Sequence, residues 1–263
     1  MKYSLAVAQI SSGTCLEHNY AIVKNLAFQA QAKGCQALCL PEACLTGYDP
    51  ARVAERSLET NSPYLERLSR LVQGLGMDLL VGFQEREGES YYLTQALFLA
   101  NGKRKYYRKT HLGARESKFF TPGTLLPVYE LSCGLKIGIA LCVECHFPEL
   151  VQTLALDGAE LVFAPHAVPS RAGSRQMVWS RYINTRSYDN RLYMACCNLW
   201  DGVSYGGGCL VTGPDGAEIS SCYSSGERLL TFAVDQDLIT MYRKNASMGS
   251  RFYPALRRRD LYR

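Results

Sequence analysis

Residues 134–150 read GLKIGIALCVECHFPEL and contain the junction that decides the fold. Large and small residues alternate from Leu135 to Leu141, a pattern typical of a strand that packs closely on one face. Pro148 suits the first turn of a helix over 148–156, because that turn has no use for a backbone N–H donor. A strand that ends at Cys142 and leads into a helix indicates an α/β protein.

The same alternation of strand and helix patterns continues along the whole chain. Helices are predicted over 17–32, 62–76, 148–156 and 175–190, with Ser62 as the N-cap of the second. Strands are predicted over 3–10, 37–40, 79–84, 91–100, 103–108, 135–141, 160–164, 192–198, 207–212 and 229–234. Many strands with few helices favour two sheets packed face to face, with the helices outside. Since no linker or repeat divides the sequence, we predict one domain over residues 1–263.

Composition excludes several classes of function. Hydrophobic residues make up 47% and charged residues 20% of the chain, as in ordinary globular proteins. The net charge of +5 comes largely from short basic runs at 103–109 and 257–259. Such runs are usually solvated, so a nucleic-acid interface is not predicted. The apolar runs are shorter than the roughly 20 residues that a membrane-spanning helix needs, so no membrane association is predicted.

The eleven cysteines are scattered along the sequence and do not form a spaced disulfide framework. The first ten residues alternate in polarity and are too short for a secretory leader. We therefore predict a cytoplasmic protein with reduced thiols.

Residues 142–146, CVECH, match the C-x-x-C-H pattern that attaches c-type haem, and also suggest a redox dithiol or a zinc site. Covalent haem attachment belongs to compartments beyond the membrane, which disagrees with a cytoplasmic chain. A zinc site formed by Cys142, Cys145 and His146 lacks a second C-x-x-C or histidine pair. The sequence therefore predicts neither a metal nor a cofactor.

Three apolar strands end on reactive side chains, namely Glu42, Lys109 and Cys142. In α/β folds such strand ends position catalytic groups. Brought together, the carboxylate takes the thiol proton, the thiolate attacks a carbonyl or nitrile carbon, and the ammonium neutralises the developing charge. A cysteine–histidine dyad is a rival plan, with candidate bases His111, His146 and His166.

The turn after Cys142 adds two expectations. The N-terminus of the following helix should lower the pKa of the thiol through its dipole. The backbone N–H of Val143 should form half of an oxyanion hole.

Four segments resemble conserved blocks of the nitrilase superfamily of carbon–nitrogen hydrolases. They are LPEACLTGY at 40–48, YRKTHL at 107–112, ESKFFTPG at 116–123 and GIALCVE at 138–144. Later positions agree with the family as well, at 186–190, 198, 214–216 and 258–262. The resemblance thus extends over nearly the whole chain.

The resemblance implies a four-layer α-β-β-α sandwich and roles for individual residues. Glu42 would be the general base and later the acid that protonates ammonia, and Cys142 would form a thioester. Lys109 and the Val143 N–H would stabilise the oxyanion, while Glu116 would orient the substrate or the attacking water. The family also implies dimers formed by helix contacts, so we expect a homo-oligomer.

The chain departs from the usual family pattern around the nucleophile, at Val143, Glu144, Cys145 and His146, and also at Cys209. The predicted activity is hydrolysis of a small linear amide or carbamoyl compound. A nitrile is the alternative substrate, and a non-catalytic scaffold of the same fold is an alternative of another class. Tyr48 and His166 are predicted to line the substrate pocket. Arg171, Arg175 and Arg181 are candidates for binding a substrate carboxylate.

Overall fold

The computed structural model describes residues 1–171, 173–244 and 252–261. Its twelve described strands form two six-stranded sheets. The strands of the first sheet, in chain order, are β1 (Lys2–Gln9), β2 (Ala37–Cys39), β3 (Asp78–Glu87), β4 (Ser90–Phe98) and β5 (Arg104–Arg108). Those of the second sheet are β6 (Tyr129–Glu130), β7 (Lys136–Ile139), β8 (Leu161–His166), β9 (Tyr193–Asn198), β10 (Cys209–Thr212) and β11 (Glu218–Cys222). The last strand, β12 (Arg228–Asp235), returns to the first sheet beside β1.

Each sheet has three parallel strands at its centre and antiparallel strands at its sides. The order is β12-β1-β2-β3-β4-β5 in one and β11-β10-β9-β8-β7-β6 in the other. The parallel strands are β1, β2 and β3 in the first sheet and β7, β8 and β9 in the second. Because side chains at the carboxyl ends of parallel strands gather at one edge, this arrangement prepares a site there.

Six α-helices are described: α1 (Leu16–Ala32), α2 (Val53–Arg56), α3 (Pro63–Leu75), α4 (Pro148–Leu156), α5 (Ser174–Asn190) and α6 (Gln236–Lys244). Apolar residues of α1 and α3 pack on the outer face of the first sheet. Those of α4 and α5, including Trp179, pack on the outer face of the second. A central core that contains Leu5, Leu80, Ile137 and Phe163 joins the two sheets. The predicted α-β-β-α sandwich is confirmed.

Local sequence explains where α3 begins and ends and how closely α4 packs on its sheet. Ser62 accepts a hydrogen bond from the Leu65 N–H at the start of α3, and Gly76 ends the helix in a left-handed conformation. At Gly138 in β7, an added Cβ would lie 2.7 Å from Leu154 Cδ1. The small residues that alternate along β7 therefore let α4 approach the sheet closely.

Four elements were not predicted, namely α2, α6, β6 and β11. β6 has only two residues, and β11 reads EISSC, which is too polar for a strand signal from periodicity alone. Residue 262, which contributed to the family resemblance, lies outside the described residues. None of the described helices is both long and apolar enough to cross a membrane.

Candidate active site

The side chains of Glu42 and Lys109 meet in the interior, together with Glu116. Glu42 follows β2 after two residues, Lys109 directly follows β5, and Glu116 begins a short 3-10 turn. The Lys109 Nζ donates to Glu42 Oε1 at 2.8 Å and to Glu116 Oε1 at 2.9 Å. Glu42 and Lys109 are each 1% exposed and Glu116 is 6% exposed. An ammonium is thus held between two buried carboxylates.

A close backbone approach positions Glu42. The turn after β2 places Ala43 in the left-handed region, at φ 52°. The backbone of this turn packs directly against Gly82 of β3. A Cβ on Gly82 would come within 2.5 Å of the Pro41 carbonyl oxygen and would overlap the Ala43 nitrogen. Only glycine at 82 leaves room for this turn.

A second glycine supports Lys109. The Gly123 N–H donates to the Lys109 carbonyl at 2.8 Å, so the segment after Glu116 runs along the end of β5. A Cβ on Gly123 would overlap the Arg108 carbonyl oxygen. This contact gives a steric reason for glycine at position 123.

Cys142 begins a 3-10 turn, Cys142–His146, and two residues separate it from the end of β7. Its φ of 51° is unusual for a residue with a side chain and marks local strain at this position. The residue is partly exposed.

The expectation that a helix dipole lowers the pKa of the Cys142 thiol is wrong. Burial raises this pKa to about 12, the carboxylate of Glu42 adds to the rise, and Lys109 only partly opposes it. The 3-10 turn separates Cys142 from α4, which begins at Pro148. The dipole effect falls off within one turn of a helix end, so desolvation dominates. The resting thiol is neutral and needs a base.

Glu42 has the properties of such a base. Burial raises its pKa to about 7, against the opposing effect of Lys109, and the charge of Glu116 raises it further. One carboxylate oxygen accepts from Lys109, whereas the buried Oε2 has no hydrogen-bond partner among the described residues. Burial lowers the pKa of Lys109, but Glu42, Cys142 and Glu116 outweigh this effect and raise it overall, so the amine stays charged.

Tyr48 lies in this network through Glu116. Its hydroxyl donates to Glu116 Oε1 at 2.7 Å, and the Gly113 N–H donates to Oε2 at 2.7 Å. Burial raises the pKa of Tyr48, so the phenol remains a donor. The structure thus gives Tyr48 a contact with a candidate catalytic residue that the sequence did not indicate.

His166 is completely buried at the end of β8. Its Nδ1 lies 2.7 Å from the Ala164 carbonyl oxygen, and its ring packs against Trp179 at 4.9 Å between centroids. Burial lowers the pKa of His166 to about 3, so the imidazole is neutral, and its Nε2 has no partner among the described residues. Its contact with substrate stays a prediction.

The three candidate arginines do not form a group. Arg171 and Arg181 are exposed, whereas Arg175, near the start of α5, is partly buried. Its charge contributes to the lowered pKa of His166, so Arg175 is the member of this set that reaches the neighbourhood of the site.

Among the described residues, no hydrogen bond joins His111, His146 or His166 to Cys142, and the His166 Nδ1 lies against the Ala164 carbonyl oxygen. His111 stacks on Phe147 at 4.4 Å and His146 packs on Tyr182 at 4.3 Å between ring centroids. The side chains that most affect the pKa of the Cys142 thiol are Glu42, Lys109 and Glu116.

The second cysteine of the C-x-x-C-H pattern, Cys145, is fully buried. Its Sγ lies 3.5 Å from the Ala140 carbonyl oxygen, in the core under α4 and α5. Within residues 1–171, 173–244 and 252–261, no group of three or more His, Cys, Asp or Glu side chains is placed to hold a metal ion.

Glu144 is the residue to which the sequence assigned no role. It is completely buried beside the site, and its oxygens accept hydrogen bonds from Tyr107, Thr110 and Leu141, among others. An acidic residue two positions after a candidate nucleophile is the only sequence signal that could have indicated it.

The chain is similar to several known proteins in sequence and in fold. The family model described as carbon–nitrogen hydrolase matches residues 4–244. A protein of Pseudomonas protegens described as "Hydrolase in pqqF 5'region" is 30% identical over 243 residues, which cover 88% of this chain and 81% of that protein. The deaminated glutathione amidase of Mus musculus is 29% identical over 98% of this chain and 84% of its own.

A solved amidase from Nesterenkonia sp. AN1 superposes with a TM-score of 0.83 at 27% identity, covering 98% of both chains. In the structure of a point mutant of that amidase, the acetamide moiety of fluoroacetamide is covalently added at the active-site cysteine. This chain superposes on that mutant with a TM-score of 0.80 at 26% identity, covering 92% of this chain and 94% of that one.

Proposed function

This chain belongs to the carbon–nitrogen hydrolase family of the nitrilase superfamily, and on that premise we propose that it releases ammonia from a small linear amide or carbamoyl compound through a thioester on Cys142. The observation that supports this most directly is the unpartnered Oε2 of Glu42, a buried carboxylate oxygen in a site where the thiol is neutral.

In the first half of the reaction, Glu42 accepts the proton of the Cys142 thiol as the sulfur attacks the amide carbon. The carbonyl oxygen becomes an oxyanion, which the Lys109 ammonium and the Val143 N–H stabilise. Glu42 then returns the proton to the amide nitrogen, the carbon–nitrogen bond breaks, and ammonia leaves. An acyl group remains on the sulfur as a thioester.

In the second half, water attacks the thioester carbon. Glu116 orients this water and Glu42 accepts its proton. Collapse of the second tetrahedral intermediate releases the carboxylic acid, and the sulfur regains its proton from Glu42. A carboxylate with a pKa of about 7 suits both directions of transfer, because it accepts and donates protons near neutral pH.

The size of the substrate is limited by how closely the site is enclosed. Glu42, Lys109 and Glu116 are almost completely buried, and Tyr48 contacts Glu116 from one side. We place Tyr48 and His166 at the substrate pocket, and Arg175 as the member of the arginine set closest to it. This enclosure favours a short acyl group over a peptide.

The test is a panel of short aliphatic amides, carbamoyl compounds and nitriles, scored by ammonia release. We expect turnover of at least one amide, and an acyl adduct on Cys142 by mass spectrometry of rapidly quenched protein. The adduct should disappear with hydroxylamine, which cleaves thioesters. Undiminished activity in Cys142→Ala would refute the mechanism.

The same panel separates the alternatives. A nitrilase would release ammonia from nitriles and leave the amides intact, and a scaffold would release none from any compound. We further propose that the protein acts in the cytoplasm as a homo-oligomer, which size-exclusion chromatography with light scattering would test.

A further inference from the structure

Glu144 combines complete burial with an unusual number of hydrogen bonds. Its Oε1 accepts from the Thr110 N–H at 2.6 Å, the Thr110 hydroxyl at 2.7 Å and the His111 N–H at 3.2 Å. Its Oε2 accepts from the Leu141 N–H at 2.7 Å. The Tyr107 hydroxyl lies 2.8 Å from both oxygens. Such backbone and hydroxyl donors compensate a buried carboxylate without an arginine or lysine.

The donors flank two of the candidate catalytic residues. Thr110 directly follows Lys109, and Leu141 directly precedes Cys142. The Lys109 segment leaves β5 of the first sheet, whereas Cys142 leaves β7 of the second. One carboxylate group, with one oxygen toward each segment, therefore joins the two sheets at the site.

The charge of Glu144 also reaches the base. Among the described residues, its nearest cationic candidate is the His111 ring, with Nδ1 3.9 Å away and the side chain 42% exposed. The negative charge of Glu144 is one of the effects that raise the pKa of Glu42. Glu144 thus acts on the site in two ways, by hydrogen bonds to the backbone and by its charge.

We infer that Glu144 is a positioning residue, which fixes the Lys109 ammonium relative to the Cys142 sulfur by binding the backbone beside each of them. The inference rests on the proposed function, since stabilising the oxyanion requires a fixed distance between the Lys109 ammonium and the Cys142 sulfur. A displacement of about 1 Å between groups that act together is enough to lower a rate about a hundredfold.

The main test compares Glu144→Gln with Glu149→Gln, a matched control that removes an exposed carboxylate from the same segment. Glutamine replaces one carboxylate oxygen by an NH2 group, which cannot accept a hydrogen bond. The hydrogen bonds from the Thr110 N–H and the Leu141 N–H therefore cannot both persist. We expect kcat to fall about a hundredfold in Glu144→Gln with KM within about threefold. The control should keep the wild-type values.

The pH profile separates positioning from a merely structural role. Removing the charge of Glu144 should move the acidic limb of kcat/KM to lower pH, since that charge raises the pKa of Glu42. A loss of folded protein would lower kcat/KM equally at every pH and would leave the midpoint of the acidic limb unchanged. Such a result, or a wild-type kcat in folded Glu144→Gln, would overturn the inference.

Two milder variants cover the case in which Glu144→Gln does not fold. Tyr107→Phe and Thr110→Val each remove one hydroxyl donor and keep the carboxylate. Each should lower kcat by a smaller factor than Glu144→Gln does. A wild-type kcat in both folded variants would also overturn the inference.

Alkylation of Cys142 by iodoacetamide, followed against pH, gives a readout that needs no amide turnover. If the wild-type protein releases no ammonia, the proposed function fails, but the inference still stands if the alkylation profile changes in Glu144→Gln and not in Glu149→Gln. An identical profile in all three proteins counts against it.

Discussion

The Lys109 ammonium lies 2.8 Å from a carboxylate oxygen of Glu42, although 67 residues separate the two in sequence. Both side chains are at most 2% exposed, so this ion pair is shielded from water. This ion pair has two consequences. It keeps the lysine charged, and it leaves the second oxygen of Glu42 free to accept a proton.

Replacing this lysine by methionine should damage both catalysis and stability. In Lys109→Met, we expect kcat to fall by about 10²–10³, the usual loss for removal of an oxyanion-stabilising group. The free energy of unfolding should fall by about 3–5 kcal/mol, because two buried carboxylates lose their partner. Urea denaturation and ammonia assays measure the two effects. The exposed Lys118→Met is the control, and an equal effect there would contradict the prediction.

Activity should depend on pH through Glu42. Because the pKa of Glu42 is raised to about 7, its deprotonated form is abundant only above that pH. We expect kcat/KM to rise with pH through about 7, and to fall about tenfold per unit well below it. The measurement is kcat/KM from pH 5 to 9. A midpoint near the ordinary pKa of a glutamate, about 4.3, would show that another group limits the reaction.

The turn that carries Glu42 should not tolerate a side chain at Gly82. In Gly82→Ala the new Cβ overlaps the backbone of 41–43, so we expect a loss of about 1–3 kcal/mol in stability and a lower kcat. Gly74→Ala is the matched control, because this exposed glycine lies in α3 with open space around it. There the same substitution should stabilise the protein by up to about 1 kcal/mol. Thermal unfolding compares the two, and equal shifts of the same sign would disprove the steric argument.

Tyr48 should contribute through Glu116. Tyr48→Phe removes a hydrogen bond to a charged group, a contact worth about 1.5–3 kcal/mol. If this energy is needed in the transition state, kcat falls about ten- to a hundredfold. Steady-state kinetics with the best amide measures the loss, and Tyr64→Phe, on α3 at the outside of the first sheet, is the control. Unchanged kcat in Tyr48→Phe would leave the tyrosine without a catalytic role.

Cys145 should be dispensable for turnover. Its side chain is buried under α4 and α5, so Cys145→Ala should cost about 1 kcal/mol in stability and leave kcat within about threefold of wild type. Cys142→Ala should abolish activity in the same assay. If instead both cysteines proved essential, a dithiol mechanism would replace the thioester.

The sequence indicated much of the candidate site because its reactive groups follow strands closely in the chain. Glu42 and Cys142 each follow an apolar run, Lys109 follows β5, and Pro148 begins a helix where predicted. Asn101-Gly102, a dipeptide typical of hairpin turns, lies between β4 and β5, which pair antiparallel. These features depend on neighbouring residues, so short patterns are sufficient to find them.

The contacts of Glu144 and Tyr48, and the pKa values of Glu42 and Cys142, could not be found in this way. Glu144 bonds to residues more than 30 positions away, and Tyr48 bonds to a residue 68 positions away. The helix dipole suggested a lowered thiol pKa, but burial raised it.

By itself, the sequence determined most of the order of strands and helices, two facing sheets with helices outside, and which strand ends bear reactive groups, because periodicity and turn chemistry act over a few residues. Only the tertiary structure decided which carboxylate oxygen is free, how strongly each group is desolvated, and that one buried glutamate joins both sheets. Those properties arise from the distance between chain segments and the exclusion of water, which no local pattern encodes.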